Sequence, residues 1–234
     1  MRAILLLPIL VAACGRQSDT ASYFPLAPHS AWTYDVTTDI DDATRKSVQV
    51  IRTLDERSHD GKPIIVRRSE IDGSIGVEYW LRETPESIVR IAQRTDLQDE
   101  AVLDPSPRTV LRLPIKAGGT WAAPTVPYTI LRKSEYPREL KYGKPVSMTY
   151  NVETLGDEVT VPAGTFRNCA RVKGLAELTL YTDPVSGFRK VPITTTEWYC
   201  PGIGLTKLER IEPLSTSFFS GGSVRMVLSD YRIR

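Results

Sequence analysis

Histidine is almost missing from this 234-residue chain; His29 and His59 are the only two. Triad chemistry needs a histidine between a nucleophile and an orienting acid, so few routes to it exist here. No serine stands in a Gly-x-Ser-x-Gly elbow. Ser220-Gly221-Gly222-Ser223 reads as a glycine-rich turn and lacks the lysine of a phosphate-binding loop. Cysteine is scarce as well: Cys14, Cys169 and Cys200. Scattered along the chain, these cysteines and the two distant histidines lack the close ligand spacing of a structural zinc centre. An excess of one charge is also absent. Thirty Lys and Arg face 28 Asp and Glu, which leaves no strong field to gather nucleic acid. Past the first residues, no apolar run approaches the ~20 residues that a membrane-spanning helix needs. No amphipathic helical pattern of about ten residues or more is found.

What is there begins at the amino terminus. Residues 1–13, MRAILLLPILVAA, combine a short basic start, an apolar stretch and small residues, the layout of a secretory signal peptide. Val11-Ala12-Ala13-Cys14 matches the bacterial lipobox. By that match Cys14 becomes the acylated first residue of the mature protein. Each buried methylene contributes ~0.8 kcal/mol, and two or more chains hold stably where one does not. Gly15 in place of Asp points, by analogy with enteric bacteria, to the outer membrane, facing the periplasm. Residues 14–22 read as the lipidated cysteine and a small, polar tether. Residues 23–234 then read as a single β-rich domain.

Period-2 alternation runs through that domain, with β-branched and aromatic enrichment. Expected strands are 32–37, 48–54, 64–71, 76–82, 87–94, 108–113, 128–133, 147–155, 158–161, 165–180, 188–208 and 222–233. Asp72-Gly73 is a hairpin dipeptide. The fold class that follows is all-β, a curved antiparallel sheet or half-barrel meander, with few or no helices beyond the signal peptide. Asp183-Pro184-Val185-Ser186-Gly187 is a strong turn signal. A turn centred near residue 185 sets Cys169 nearly opposite Cys200 on antiparallel strands. Lipid consumes Cys14, so this remaining pair in an oxidising compartment suits a disulfide; the alternative is two buried thiols.

Several side chains are candidates for chemistry. His59 lies in the turn Ser58-His59-Asp60-Gly61, and His29 is read in a turn too. Asp39, Asp41 and Asp42 could collect calcium, but they lack the glycine and distal glutamate of a calcium loop. Glu70 with Asp72, or Glu78 with Glu83, could act as paired carboxylates; a β-rich domain with 28 acids offers such pairs by chance. The charged segment 132–144 is either a lip over a binding surface or a solvated connection. Trp32, Trp80, Trp121 and Trp198 either line a concave face that takes an apolar ligand or fill a core. No cofactor or metal is implied.

Three blocks carry a resemblance. They are Tyr23-Phe24-Pro25-Leu26 with Trp32-Thr33-Tyr34, then Val161-Pro162-Ala163-Gly164-Thr165-Phe166 with Cys169 and Val172. The last is Glu197-Trp198-Tyr199-Cys200-Pro201-Gly202-Ile203-Gly204-Leu205 with Lys207. In this order they resemble a set of bacterial secreted and lipid-anchored β-proteins that includes the TapB-like proteins. His29-Ser30 departs from the family's glycine-containing turn, and Cys200 from its alanine. The resemblance implies a curved antiparallel sheet akin to periplasmic half-barrels that cradle apolar molecules, and it brings no catalytic residues. Physically, Val161-Pro162-Ala163-Gly164 reads as a strand entry with a tight bend, and Pro201-Gly202-Ile203-Gly204 as a kink or bulge within a strand. The expected function is a non-catalytic binding or carrier module for an apolar ligand, an envelope polymer or a partner protein. The alternative is an assembly lipoprotein docking another envelope protein, and a hydrolase ranks third.

Overall fold

The computed structural model describes residues 21–133 and 140–234. The expected signal peptide, Cys14 and most of the tether lie outside the described residues, as does the middle of segment 132–144. Fourteen strands build the described fold, without a helix. They are β1 Ala31–Ile40, β2 Ala43–His59, β3 Lys62–Ile71, β4 Val77–Glu83, β5 Ser87–Thr95, β6 Val102–Arg112 and β7 Thr120–Thr125. Then come β8 Leu131–Arg132, β9 Leu140–Lys141, β10 Val146–Val161, β11 Gly164–Asp183, β12 Gly187–Cys200, β13 Gly204–Ser215 and β14 Phe219–Arg232. All pairings are antiparallel, in the order β6-β5-β4-β3-β2-β1-β14-β13-β12-β11-β10-β7. The sheet curls past a half-barrel until its two edge strands approach: Arg112 Nη1 of β6 donates to the Thr120 carbonyl of β7 at 2.9 Å.

Alternation explains the curl. Trp32, Tyr34 and Val36 of β1 are buried while Asp35 between them is exposed. On β2, Ile51, Gln49 and Ser47 lie opposite these three, so one face of the pair points inward throughout. Turn chemistry sets the hairpins. Asp60-Gly61 joins β2 to β3 with φ of 53° and 68°, the left-handed pair that a two-residue type I′ hairpin needs. Asp72-Gly73 likewise has φ of 50° and 65°.

Five expectations are corrected. Segment 188–208 is two strands, because Pro201-Gly202-Ile203 reverses the chain and sets Cys200 opposite Gly204. Pro162-Ala163 is also a hairpin reversal, with Val161 opposite Gly164. Residues 147–155 and 158–161 are one bulged strand, β10, rather than two. Residues 128–133 supply only the two-residue β8; the amides of Tyr128 and Thr129 donate to the Glu212 carboxylate of β13 rather than to a neighbouring strand. Ser220-Gly221-Gly222-Ser223 is not a turn; it lies inside β14. A Cβ on Gly222 would collide with the backbone carbonyl of Asp39 on the neighbouring β1, so the strands meet there only because the side chain is absent. The unforeseen β7, Thr-Trp-Ala-Ala-Pro-Thr, is poor in β-branched residues. Its Pro124 is tolerated because β7 ends the sheet.

Candidate functional site

The barrel encloses a cavity of about 1360 Å³. Inward side chains from both halves of the sheet line it, among them Val36 of β1, Ile51 of β2, Leu81 of β4, Val110 of β6, Leu208 of β13 and Met226 of β14. Ile40, Asp41, Asp42, Ala43, Ile71 and Ser74 border one end. They belong to the β1–β2 and β3–β4 turns, so that end is the mouth. The opposite end is a floor of aromatic rings.

The recognised sequence blocks meet at this floor. Phe24 and Pro25 line it, and the Phe24 ring lies 6.4 Å from that of Tyr199. Trp32 Nε1 donates to Ile203 O at 2.7 Å, and Tyr34 Oη to Leu205 O at 2.8 Å. Gly204 has φ of 92°, and a Cβ there would stand 3.2 Å from Pro25 Cδ. The Pro-Gly-Ile-Gly reversal therefore makes room for the Tyr-Phe-Pro-Leu segment. Tyr23 Oη donates to Asn168 O at 3.0 Å, next to Cys169.

Arg67 stands among these rings. Its guanidinium lies 4.3 Å from the centre of the Phe24 ring and 4.6 Å from that of Trp32, within range for cation–π attraction. Nη2 donates to Pro25 O, while Nε is buried without a hydrogen-bond partner among the described residues. Burial lowers its pKa to about 10, with Tyr34 and Tyr199 acting the other way. Burial also raises the pKa of both tyrosines, so their hydroxyls stay protonated near neutral pH.

A second polar group sits higher on the wall. Glu197 accepts a 2.6 Å hydrogen bond from Tyr199 Oη. Enclosure by protein on every side but the cavity raises its pKa, against the pull of Tyr199, Arg210 and Arg108. Arg108 also lines the cavity. Arg90 is paired with Asp104, through bonds of 2.8 and 2.7 Å. Apolar side chains predominate in the lining, with Ser47, Gln49, Arg67, Arg108 and Glu197 among the polar groups on the wall; apolar walls with placed polar groups are the make-up of a small-molecule pocket.

A strap closes the side of the cavity. From β7 at the sheet edge the chain runs to β8, which pairs with β14, so residues 126–130 cross the concave face. Arg210 and Glu212 of β13, 2% and 0% exposed, hold it. Glu212 accepts from the backbone N–H of Tyr128 at 2.8 Å and of Thr129 at 2.7 Å, and from Thr129 Oγ1 at 2.9 Å. Arg210 donates to Glu212 at 2.6 Å, to Thr125 Oγ1 at 3.1 Å and to Val126 O at 3.0 Å.

Of the four tryptophans, Trp32 borders the cavity. Trp121 stacks on Tyr150 at 5.2 Å in the core beside it. Trp80 packs with Ile64 and Val66, on the face of β4 opposite its cavity-lining neighbours Tyr79 and Leu81. Trp198 donates to Asp157 and stacks under Lys207. Cys169 and Cys200 form a disulfide with Cα atoms 4.1 Å apart, continuing the register that pairs Ala170 with Tyr199. The remaining candidates are dispersed. His29 is near Asp55 at 3.2 Å, and His59 meets the Trp80 ring edge-on. Asp39 accepts from Thr44, and Asp41 from Ser220. Glu70 pairs with Arg52 and Arg68. Asp72 accepts from the Val48 amide, and Glu78 is buried beside Arg94 at 3.1 Å. Glu83 lies opposite Ile88.

Arg67 and Glu197 escaped the sequence reading. Their one signal is parity: Glu197 shares a face with Tyr199, and Arg67 lies opposite Tyr79. In each case a charge sits on the aromatic face.

Against known proteins, no family model matches the chain, and no curated protein matches it. Solved structures of similar course exist. One is a protein assigned as exported, with a YmcC-like fold, from Bacteroides fragilis: 13% identity over 91% of this chain and 99% of that one, TM-score 0.45. Another is a protein assigned as a lipoprotein from Parabacteroides distasonis: 12% identity, 92% and 100% coverage, TM-score 0.46. A domain assigned to outer-membrane lipoprotein sorting from Vibrio parahaemolyticus follows at 10% identity, 88% and 86% coverage and TM-score 0.29.

Proposed function

We propose that this protein is a non-catalytic, lipid-anchored envelope protein that holds an amphipathic, largely apolar ligand inside its barrel. One observation carries the reading: a cavity of about 1360 Å³, walled by aliphatic side chains and floored by aromatic rings. Typical ligand pockets hold ~300–1,000 Å³, so the space suits a long or branched apolar molecule. The anchor adds a direction. Gly202 N–H donates to Ser22 O at 2.9 Å, which fixes the start of the described chain at the floor end. With acyl groups on Cys14, the floor faces the membrane, by the Gly15 rule the outer one, and the mouth opens toward the periplasm. The reading includes no cofactor, metal or nucleic acid.

The test is native mass spectrometry of the protein released from its own membrane, followed by identification of any co-purifying lipid. A stoichiometric apolar ligand is expected. Val36→Trp with Met226→Trp fills the middle of the cavity and should abolish retention while the disulfide-bonded fold persists. Protein that never retains an apolar molecule, and displaces no hydrophobic fluorescent probe, would remove the reading.

The alternative, docking of another envelope protein, is favoured by one patch. Val185 and Phe188 at the β11–β12 tip are 97% and 74% exposed. Serine at both positions should leave ligand retention intact; a defect in cells that tracks these two changes would favour docking.

A further inference from the structure

The floor of the cavity holds a cation without a counter-ion. Arg67 carries five N–H donors. One nitrogen, Nη2, is used by Pro25 O, and Nε is buried with no acceptor among the described residues. The ionisable groups acting on Arg67 are the hydroxyls of Tyr34 and Tyr199, and both bonds those hydroxyls donate go elsewhere, to Leu205 O and Glu197. The cavity's carboxylates do not serve it: Asp41 and Asp42 stand at the mouth, and Glu197 is acted on by Arg210 and Arg108. A buried charge left in this condition is costly. Stacking against Phe24 and Trp32 offsets part of that cost and holds the planar fork in one orientation. Such a fixed fork matches a carboxylate or a phosphate through paired hydrogen bonds.

Fastening the N-terminal segment accounts for the rings and for Nη2. It does not account for Nη1, which has no hydrogen-bond partner among the described residues and, unlike Nε, is not shut away from the cavity, nor for choosing a guanidinium where a leucine would pack the same rings without a buried charge. We infer that Arg67 receives the anionic head of the ligand, a carboxylate or phosphate monoester on a single long apolar chain. The chain then runs from the floor toward the mouth along Val36, Ile51 and Met226. This inference rests on the proposed use of the cavity and adds the head-group chemistry and the polarity of binding, head inward.

The experiment uses the full-length chain bearing Cys14→Ser, so that no acyl group of its own and no detergent competes. A hydrophobic fluorescent probe is displaced by palmitate, by palmitate methyl ester and by palmitoyl lysophosphatidate. Hydrogen bonds to a charged group contribute about 1.5–3 kcal/mol, so an anion should displace the probe at roughly 10- to 100-fold lower concentration than the ester. The better of the two anions names the head group. Arg67→Gln should erase the preference, and Arg67→Lys, which keeps the charge but not the fork, should restore part of it. Equal displacement by acid and ester overturns the inference and leaves the cavity reading standing. No displacement by any of the three, or by any other apolar compound, overturns both. Should Arg67→Gln fail to fold, the partial loss of preference in Arg67→Lys decides in its place, with Arg108→Gln, at another cavity-lining guanidinium, as the control that should leave the preference intact.

Discussion

Removing the Glu212 carboxylate should be among the most damaging single changes available in this barrel. Glu212→Ala deletes the acceptor for two backbone amides, Tyr128 N–H and Thr129 N–H, and for the Thr129 hydroxyl. It also strands Arg210, which is 2% exposed and loses its 2.6 Å partner. Breaking a buried ion pair by removing one member costs about 3–5 kcal/mol, and each orphaned amide about 1–3 kcal/mol when it stays dry. Partial rehydration of the strap makes these overlap, so the expected loss is about 4 kcal/mol or more. For a chain of this size that lowers the melting temperature by about 8–16 °C. Arg210→Met should cost less, because the two amides and the hydroxyl still donate hydrogen bonds to the Glu212 carboxylate. Pairing Arg210→Met with Glu212→Leu should not restore stability, since both amides remain unpaired. Urea unfolding, followed by tryptophan fluorescence, measures all three. A Glu212→Ala loss below about 1 kcal/mol, or one smaller than that of Arg210→Met, would refute the account of how the strap is held.

Three further outcomes are expected. Replacing Cys169 and Cys200 together by alanine frees a loop of 31 residues in the unfolded chain and should cost about 3–4 kcal/mol by the chain-entropy model, read by the same urea titration; an unchanged midpoint would contradict it. Burial raises Glu197 above its ordinary 4.5, so the folded protein keeps a proton that the unfolded chain releases. Its contribution to stability is complete below pH 4.5 and is lost as pH rises through the folded value. Glu197→Gln should therefore gain on the unsubstituted protein as pH rises above 4.5, and parallel stability curves would contradict this. Gly174→Ala would put a Cβ 2.5 Å from Thr195 Cγ2 and 2.6 Å from Met148 Sδ, overpacking worth about 1–3 kcal/mol, and differential scanning calorimetry should show the lower melting temperature.

The parts of the fold written in local pattern were legible. The alternation of β1 and the Asp-Gly turns gave the strands and their reversals, and the turn at residue 185 placed Cys169 against Cys200. Closure was not legible, because it depends on β7, whose Ala-Ala-Pro carries little strand signal, and on the register of every pair between. The reversal at Pro201-Gly202-Ile203 was hidden because strand-like residues continue on both sides, so a bend read as a bulge. Trp80 shows the limit of composition: its parity opposes it to Tyr79 and Leu81, and parity decided its place. Arg67 lies beside Arg68 on the same short strand, yet only the first turns inward; Arg68 pairs with Asp96 and Glu70. Which of two adjacent arginines enters a cavity is a matter of register, which a single sequence does not carry.

The contrast between the two buried arginines gives the functional reading its physical basis. Arg210 and Arg67 both pin a crossing segment to the inner face, one the strap and the other the N-terminal residues. Around Arg210 the polar groups are matched: a carboxylate, a hydroxyl and a carbonyl take its three nitrogens, and the same carboxylate satisfies the strap's amides. Around Arg67 they are not, although the chain builds the floor from residues far apart in sequence and had the same means at hand. A fastener alone is served better by the first arrangement, since an unpaired buried donor costs stability. The second arrangement is favoured only when something else completes it, and the open side of Arg67 is the cavity.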